Sequence, residues 1–214
     1  MVLKRELAFY AVVILFASAI SLIALDMDGG SAMDVSIRLL ALNGYVALSI
    51  AAILTPFIKE VTLFFKKSFI KVHHYFAAAG LLLITLHPIS VAILFMNPSI
   101  LLPNFESLSN FFFYGGSIAL ISIYTAFGAV LLRRQVVAYW RYFHAFMYVA
   151  LFFGVVHANM WGFDFENGFI VVIYDGLFAV ALAAFVLKRW QFYRIKQKRN
   201  RITNHPTKNI VSKP

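Results

Sequence analysis

The amino-acid sequence predicts an all-α integral membrane protein, built as a bundle of six transmembrane helices with both termini in the cytoplasm. Hydrophobic residues make up 62% of the 214 residues, whereas a soluble domain is nearer half apolar. The mean hydropathy is +0.81, and six apolar segments are each long enough to cross about 30 Å of hydrocarbon. Charged residues account for 13% of the chain and cluster between those segments.

The six predicted spans follow one another with short connections, and no internal repeat is visible in the sequence. They lie at about 8–25, 37–58, 69–96, 111–132, 138–160 and 168–189. We expect them to form one transmembrane domain over residues 1–190, followed by a basic tail over residues 191–214.

The first span follows a basic N-terminal head, an order of features that it shares with secretory signal peptides. Its apolar run from Leu7 to Leu25 is longer than the core of a usual signal peptide, and no clear A-x-A cleavage site follows it. We therefore predict that this span is a retained transmembrane helix.

Basic residues are distributed unevenly between the two ends of the predicted bundle. The end that includes both termini holds Lys4, Arg5, Lys59, Lys66, Lys67, Lys71, Arg133, Arg134, Arg141, Lys188, Arg189 and seven more residues between Arg194 and Lys213. Arg38 is predicted at the other end. By the positive-inside rule the basic end is cytoplasmic, which predicts a multi-pass protein of the cell membrane. We expect the basic tail to contact anionic lipids of the inner leaflet rather than nucleic acid.

The chain contains no cysteine. This excludes disulfide bonds, cysteine-ligated iron–sulfur clusters, covalent attachment of heme c and thiol redox chemistry. Any redox activity must therefore depend on a cofactor that is bound without a covalent link.

The third span contains three histidines, which are costly in hydrocarbon and usually mark a functional site there. His73 and His87 are separated by 14 residues, or about 1400° of rotation, which is about 40° short of four helical turns. Their side chains therefore share one face, about 21 Å apart along the axis. His74 is further out of phase with His87, although Pro88 can rotate one half of the helix against the other. We expect His73 to be the ligand and His74 to be its neighbour.

The fifth span contains His144 and His157, which are 13 residues apart, or about 20 Å in rise. This spacing does not place both rings on one face of an ideal helix. A bend near Gly154, or different side-chain rotamers, would be needed to bring them onto one face.

The third and fifth spans both begin at the basic end, so they run parallel and their histidines meet in two pairs. His73 would pair with His144 near the cytoplasmic leaflet, and His87 with His157 near the outer leaflet. Each pair can bind one heme iron from two sides, and two axial imidazoles favour electron transfer over oxygen chemistry at the metal. The sequence therefore predicts two heme b groups.

Two alternatives compete with heme ligation at these histidines. They can be buried residues that satisfy their hydrogen bonds without any cofactor. They can also bind zinc, although no carboxylate or cysteine accompanies either pair in hydrocarbon, and the two pairs are far apart.

Three stretches around these residues resemble the ferric reductase-like transmembrane family. Gly44–Pro56 resembles its G-x-x-A-L … T-P pattern, His73–His87 its H-R-x-L-G … L-H pattern, and Trp140–His157 its W-x-x-L-H-x-x-x-Y … H pattern. The family includes the membrane parts of NADPH oxidases and ferric reductases, and the heme-binding membrane subunit of the bacterial methionine sulfoxide reductase system. The resemblance covers about residues 40–160. It implies that the heme ligands are His73, His87, His144 and His157.

The sequence departs from the family pattern at two positions and after the last span. His74 stands where arginine is common, and Ala77 stands where glycine is common. No strand-rich flavin domain and no G-x-G-x-x-G fingerprint follows Trp190. We therefore expect electrons from a cytoplasmic flavoprotein, reduced flavin or quinol, and an outer acceptor that is a metal ion, oxygen or a protein subunit.

Two rival functions belong to other classes of protein. One is a quinol-coupled cytochrome b that anchors a soluble oxidoreductase. The other is a non-redox transporter, which is disfavoured because the spans lack paired broken helices and a polar stripe.

Two further side chains are candidate contacts for a heme propionate, which is anionic and needs cationic or hydrogen-bonding partners. Arg141 lies one helical turn before His144 and faces roughly the same way. His74 is the second candidate, since it adjoins His73.

Acidic residues gather at the end of the bundle opposite the basic one. They are Asp26, Asp28, Asp34, Glu106, Asp164 and Glu166. Ordinary solvated loops would account for them, and the functional hypothesis is that they concentrate a cationic electron acceptor such as ferric iron. Asp175 lies inside the sixth span, where an acid indicates either a proton relay or a shallow residue near a helix N-terminus.

Overall fold

The computed structural model describes residues 2–27 and 30–204, and these residues form helices and turns with no β-strand among them. The helices are α1 (Val2–Asp26), α2 (Ala32–Ile53), α3 (Ile58–Phe65), α4 (Phe69–Leu94), α5 (Leu108–Phe113), α6 (Gly115–Leu131), α7 (Trp140–His144), α8 (Phe146–Trp161) and α9 (Gly168–Asn204). Two 3-10 turns lie at Pro98–Leu101 and Phe163–Glu166. Asp28, Lys208 and Lys213, which enter the charge pattern above, lie outside the described residues.

Within residues 2–27 and 30–204, five helical stretches are long and apolar enough to cross a membrane. They are Leu7–Asp26, Ala32–Ile53, Phe69–Leu94, Trp140–Trp161 and Gly168–Arg201. The prediction of an all-α chain with membrane-length apolar helices is thus confirmed. The segment predicted as the fourth span, 111–132, is divided at Tyr114 between α5 and α6, and α6 is an apolar helix of 17 residues.

Helix α2 begins and ends about five residues earlier than the predicted span 37–58. Ser31 and Asp34 form a capping box: the Ser31 hydroxyl accepts from the Asp34 N–H at 3.3 Å, and the Asp34 carboxylate accepts from the Ser31 N–H at 2.8 Å. These bonds satisfy backbone donors that a helix start otherwise leaves without partners. At the other end Pro56 disfavours helical geometry for the residue before it, and the chain turns there.

Helix α2 packs against α1, α4, α8 and α9, and its interface with α4 is the most extensive in the bundle, followed by that of α6 with α8. Glycines let α2 and α4 approach closely. A Cβ added at Gly80 would lie 2.6 Å from the Leu48 Cγ atom, and one at Gly44 would lie 2.8 Å from the Ile84 Cγ1 atom. Small residues serve the same purpose at helix contacts in membrane proteins generally.

Helix α9 extends beyond the predicted sixth span 168–189. It continues without interruption to Asn204, so the described part of the predicted tail is helical. Its 37 residues correspond to a length of about 55 Å. Residues 192–201 are exposed on every side, and the Arg194 guanidinium lies 4.7 Å from the centroid of the Trp190 ring.

Candidate functional site

The four histidines that the sequence analysis singles out lie in two pairs between the same helices. Helix α4 carries His73 and His87, while His144 ends α7 and His157 lies in α8. The ring centroids of His73 and His144 are 6.5 Å apart, with an interplanar angle of 74°. His157 lies close enough to His87 to affect its electrostatics. The structure therefore places the rings in the pairs expected for parallel spans.

Every one of these imidazoles is oriented by a backbone carbonyl on a neighbouring helix. The Nδ1–O distances are 3.1 Å for His73 to Ala51, 3.0 Å for His87 to Ile37, 3.3 Å for His144 to Ala126 and 2.7 Å for His157 to Phe113. A carbonyl oxygen accepts and never donates, so Nδ1 carries the proton in each bond. The neutral ring then has an unprotonated Nε2, which is the atom that can bind a metal.

The four carbonyl acceptors follow one pattern in the two halves of the bundle. Helix α2 supplies Ala51 and Ile37 to the histidines of α4, and the α5–α6 segment supplies Ala126 and Phe113 to those of α7 and α8. Ile37 and Ala51 are 14 residues apart, as are His73 and His87, and Phe113 and Ala126 are 13 residues apart, as are His144 and His157. The two halves thus repeat in backbone arrangement, although the sequence shows no repeat of residue identities.

An interruption of the helix directly after His144 helps to account for the spacing of 13 residues in the fifth span. The Ala145 N–H is shared between the carbonyls of Arg141 and Tyr142, at 3.2 and 3.1 Å, and the Ala145 carbonyl accepts from Tyr148, three residues on, at 3.0 Å. Such a 3-10 turn advances about 120° per residue rather than about 100°. It moves His157 toward the face of His144. Helix α8 runs without interruption through Gly154, so the change from regular α-helix lies at Ala145.

The geometry of the inner pair fits a metal ion held between two imidazoles. A metal about 2 Å from the nitrogen of each ring places the two ring centroids about 6 to 6.5 Å apart, and the His73–His144 separation is 6.5 Å. Residues 2–27 and 30–204 contain no group of three or more His, Cys, Asp or Glu side chains arranged for a metal ion. The histidines form pairs, and two is the number of axial ligands that a protein gives to a six-coordinate heme iron.

A glycine leaves space beside the outer pair. A Cβ added at Gly116 of α6 would lie 3.1 Å from both Nε2 and Cδ2 of His157. The absence of a side chain there keeps the metal-binding edge of His157 uncovered. A flat cofactor needs such room next to its ligand, so this position also fits the predicted heme.

The two candidate propionate contacts both lie at the surface near the inner pair. His74 is exposed, and its ring centroid lies 6.0 Å from that of His73. Arg141 is exposed, with its guanidinium 5.4 Å from the centroid of the Trp140 ring. Of the two adjacent histidines, His73 is therefore the one that the structure places opposite His144.

The predicted acidic end requires a correction. Asp164 is 3% exposed and forms an ion pair with Arg38 at 2.6 Å, so it is not a solvated loop residue and is not available to attract a cationic acceptor. Asp34 is engaged in the capping box of α2. Asp26, Glu106 and Glu166 are exposed, as expected.

Asp175 has a partner that the sequence analysis did not identify. The Asn159 side-chain amide donates to the Asp175 carboxylate at 3.0 Å and to the Val155 carbonyl at 2.9 Å. This bond links α8 to α9 two residues beyond His157. Its position two residues after the candidate ligand His157 is the one sequence signal that points to Asn159.

Comparisons with protein-family models, with curated proteins and with solved structures gave no match to this chain.

Proposed function

We propose that this chain is a two-heme b-type cytochrome that carries electrons across a lipid membrane, as ferric reductase-like membrane proteins do. His73 and His144 would hold the inner heme, and His87 and His157 the outer heme. In this proposal α5 and α6 together form a sixth transmembrane segment, residues 1–190 form the heme domain, and both termini are cytoplasmic. The protein would be an oxidoreductase or the electron-transfer subunit of one.

One observation carries the proposal: four imidazoles at two depths, all with Nδ1 on a backbone carbonyl and arranged as facing pairs. Each of these rings is half-buried, and with its Nδ1–H donated to a carbonyl its Nε2 is the atom left to bind a metal. Four histidines in the same tautomer therefore support metal ligation over isolated structural roles.

Bound heme would supply a one-electron carrier, since its iron alternates between ferric and ferrous states. The chain's own residues determine how that carrier behaves. Two imidazoles per iron leave no open coordination position, which disfavours oxygen binding at the metal. Each carbonyl acceptor fixes the plane of its imidazole and increases the basicity of Nε2. The apolar helices around the pairs exclude water.

The proposed direction of transfer is from the cytoplasmic to the outer side. The donor would be a cytoplasmic flavoprotein, reduced flavin or quinol. The acceptor would be a metal ion, oxygen or a protein subunit on the outer side. The basic residues at the inner end favour an anionic donor there, because opposite charge raises the rate of encounter.

An absorbance spectrum tests the central claim. Protein purified in detergent from heme-sufficient cells is expected to show a b-type spectrum that dithionite reduces, with about two hemes per chain. A colourless preparation would remove the proposal and favour a non-redox membrane protein. Stopped-flow reduction by reduced flavin, but not by quinol, would support the flavin-linked form. The opposite result would indicate a quinol-coupled membrane anchor.

A substitution at Gly116 is expected to perturb the outer heme alone. In Gly116→Ala the new methyl group lies 3.1 Å from the Nε2 atom of His157, so the ring must shift by a few tenths of an ångström. We expect a changed low-temperature spectrum or a shifted midpoint potential for one heme of the two. Gly128→Ala, on the same helix and with no atom within 4 Å of the added carbon, is the matched control. Equal effects of both substitutions would contradict the placement of His157.

A further inference from the structure

A buried ion pair lies at the outer end of the bundle. The Arg38 guanidinium donates from Nε to both carboxylate oxygens of Asp164, at 3.1 and 3.0 Å, and from one terminal nitrogen to Oδ1 at 2.6 Å. The same terminal nitrogen donates to the Ala24 carbonyl at 2.5 Å. The Arg38 and Asp164 side chains are 13% and 5% exposed. The pair therefore combines charge with several directed hydrogen bonds in a site largely closed to water.

This ion pair connects α2, whose Ile37 carbonyl orients His87, with the turn that follows the helix of His157. Arg38 directly follows Ile37, whose carbonyl accepts the Nδ1–H of His87. Asp164 lies in the 3-10 turn that follows α8, the helix of His157. The guanidinium also lies 5.0 Å from the centroid of the Phe163 ring in that turn. A shift of either residue would thus move a ligand, or the acceptor of a ligand, in the outer pair.

Mechanical attachment of the helices alone does not require charge. Taking two ions out of water costs several kcal/mol each, and well-packed apolar residues in the same place are often as stable or more stable. Each charge of such a pair acts on a nearby redox group through a medium of low dielectric constant, and the two effects oppose each other.

We infer that Arg38 and Asp164 are positioning residues for the outer histidine pair, and that each charge cancels the shift that the other would impose on the reduction potential of the group this pair holds. The inference depends on the proposed two-heme function. A reduced heme carries one more negative charge than an oxidised one. A nearby cation therefore favours reduction, a nearby anion opposes it, and a matched pair has a small net effect.

The test is a potentiometric titration of the purified two-heme protein with three variants. R38Q leaves the Asp164 carboxylate unbalanced and is expected to lower the midpoint potential of the outer heme. D164N leaves the guanidinium unbalanced and is expected to raise it. The double variant R38Q/D164N is expected to return the outer potential close to the wild-type value. The inner potential is expected to stay constant throughout.

The opposite signs of the two single shifts distinguish this role from a purely structural one. If the pair only holds the helices together, both single variants disturb the site in the same way, and the midpoint potential of the outer heme moves in the same direction in both. That result would overturn the inference. The matched control is E166Q, which neutralises an exposed acid two residues from Asp164 in the same turn. Because solvent screens the Glu166 charge, E166Q is expected to shift the midpoint potential of the outer heme far less than D164N does.

The inference stays testable if a single variant does not retain the outer heme. R38K keeps the positive charge but not the forked hydrogen bonds, so it is expected to preserve the outer potential, and a shift as large as that of R38Q would overturn the inference. Failure of the proposed function looks different. Wild-type protein without heme would refute that function, whereas two hemes with potentials unmoved by R38Q and D164N would refute this inference only.

Discussion

Replacing His144 with alanine is expected to remove the inner heme and leave the outer one in place. The variant loses one of two axial nitrogens, while His87 and His157 keep their carbonyl partners on α2 and α5. We expect the heme content per chain to fall by about half, because the inner heme loses one of its two axial ligands. A hemochrome assay on protein of known concentration measures this directly.

The adjacent histidine offers a matched control for this experiment. His74 is exposed and lies beside His73 rather than opposite His144. His74→Ala is expected to keep both hemes, and His73→Ala is expected to lose the same heme as His144→Ala. Two retained hemes in His144→Ala, or a lost heme in His74→Ala, would show that the pairs are assigned wrongly.

Gly80→Ala is expected to destabilise the bundle strongly, because it separates α2 from α4. The added methyl group would lie 2.6 Å from Cγ of Leu48 and 2.9 Å from its backbone nitrogen. The side chain can rotate but the backbone atom cannot, so the helices must move apart. Overpacking of this kind costs about 1–3 kcal/mol. A lower midpoint of thermal unfolding in detergent and a partial loss of both hemes are expected, since α2 supplies the carbonyls that orient His73 and His87.

The control for this substitution is Gly176→Ala in α9. No atom lies within 4 Å of a carbon added at that position. The midpoint of thermal unfolding of Gly176→Ala is expected to stay unchanged or rise slightly, because alanine is a better helix former than glycine. If Gly80→Ala unfolds at the wild-type temperature as well, the close approach of α2 and α4 is not a determinant of stability.

The sequence was sufficient to predict the helical class, most of the membrane-length segments and the pairing of the histidines by depth. These features depend on composition and on a helical rise that is nearly constant. The start of α2 was also readable in principle, because Ser31 and Asp34 form a local capping signal. Hydropathy alone places the start of the second span at residue 37, five residues after the observed start of α2.

Other features depend on contacts between distant parts of the chain. Arg38 and Asp164 are 126 residues apart, and nothing near either residue marks the other as its partner. The backbone carbonyls that accept from the four histidines cannot be recognised in the sequence, because every residue has a carbonyl. They belong to Ala51, Ile37, Ala126 and Phe113. The 3-10 turn at Ala145 changes the rotational phase of a helix without any proline or glycine in its five-residue surroundings.

Helix α9 is one continuous helix with a buried part and an exposed part. Ile170, Tyr174 and Ala181 are buried in the bundle, whereas residues 192–201 are exposed on all sides. Ala184 is buried as well, and the part of α9 beyond it is about 30 Å long, so a tilt of about 10° moves its far tip by roughly 5 Å. A force applied to the basic C-terminal end of α9 is therefore transmitted to α2 and α8, the helices against which α9 packs. Those two helices carry the Ile37 and Ala51 carbonyls and the His157 ring.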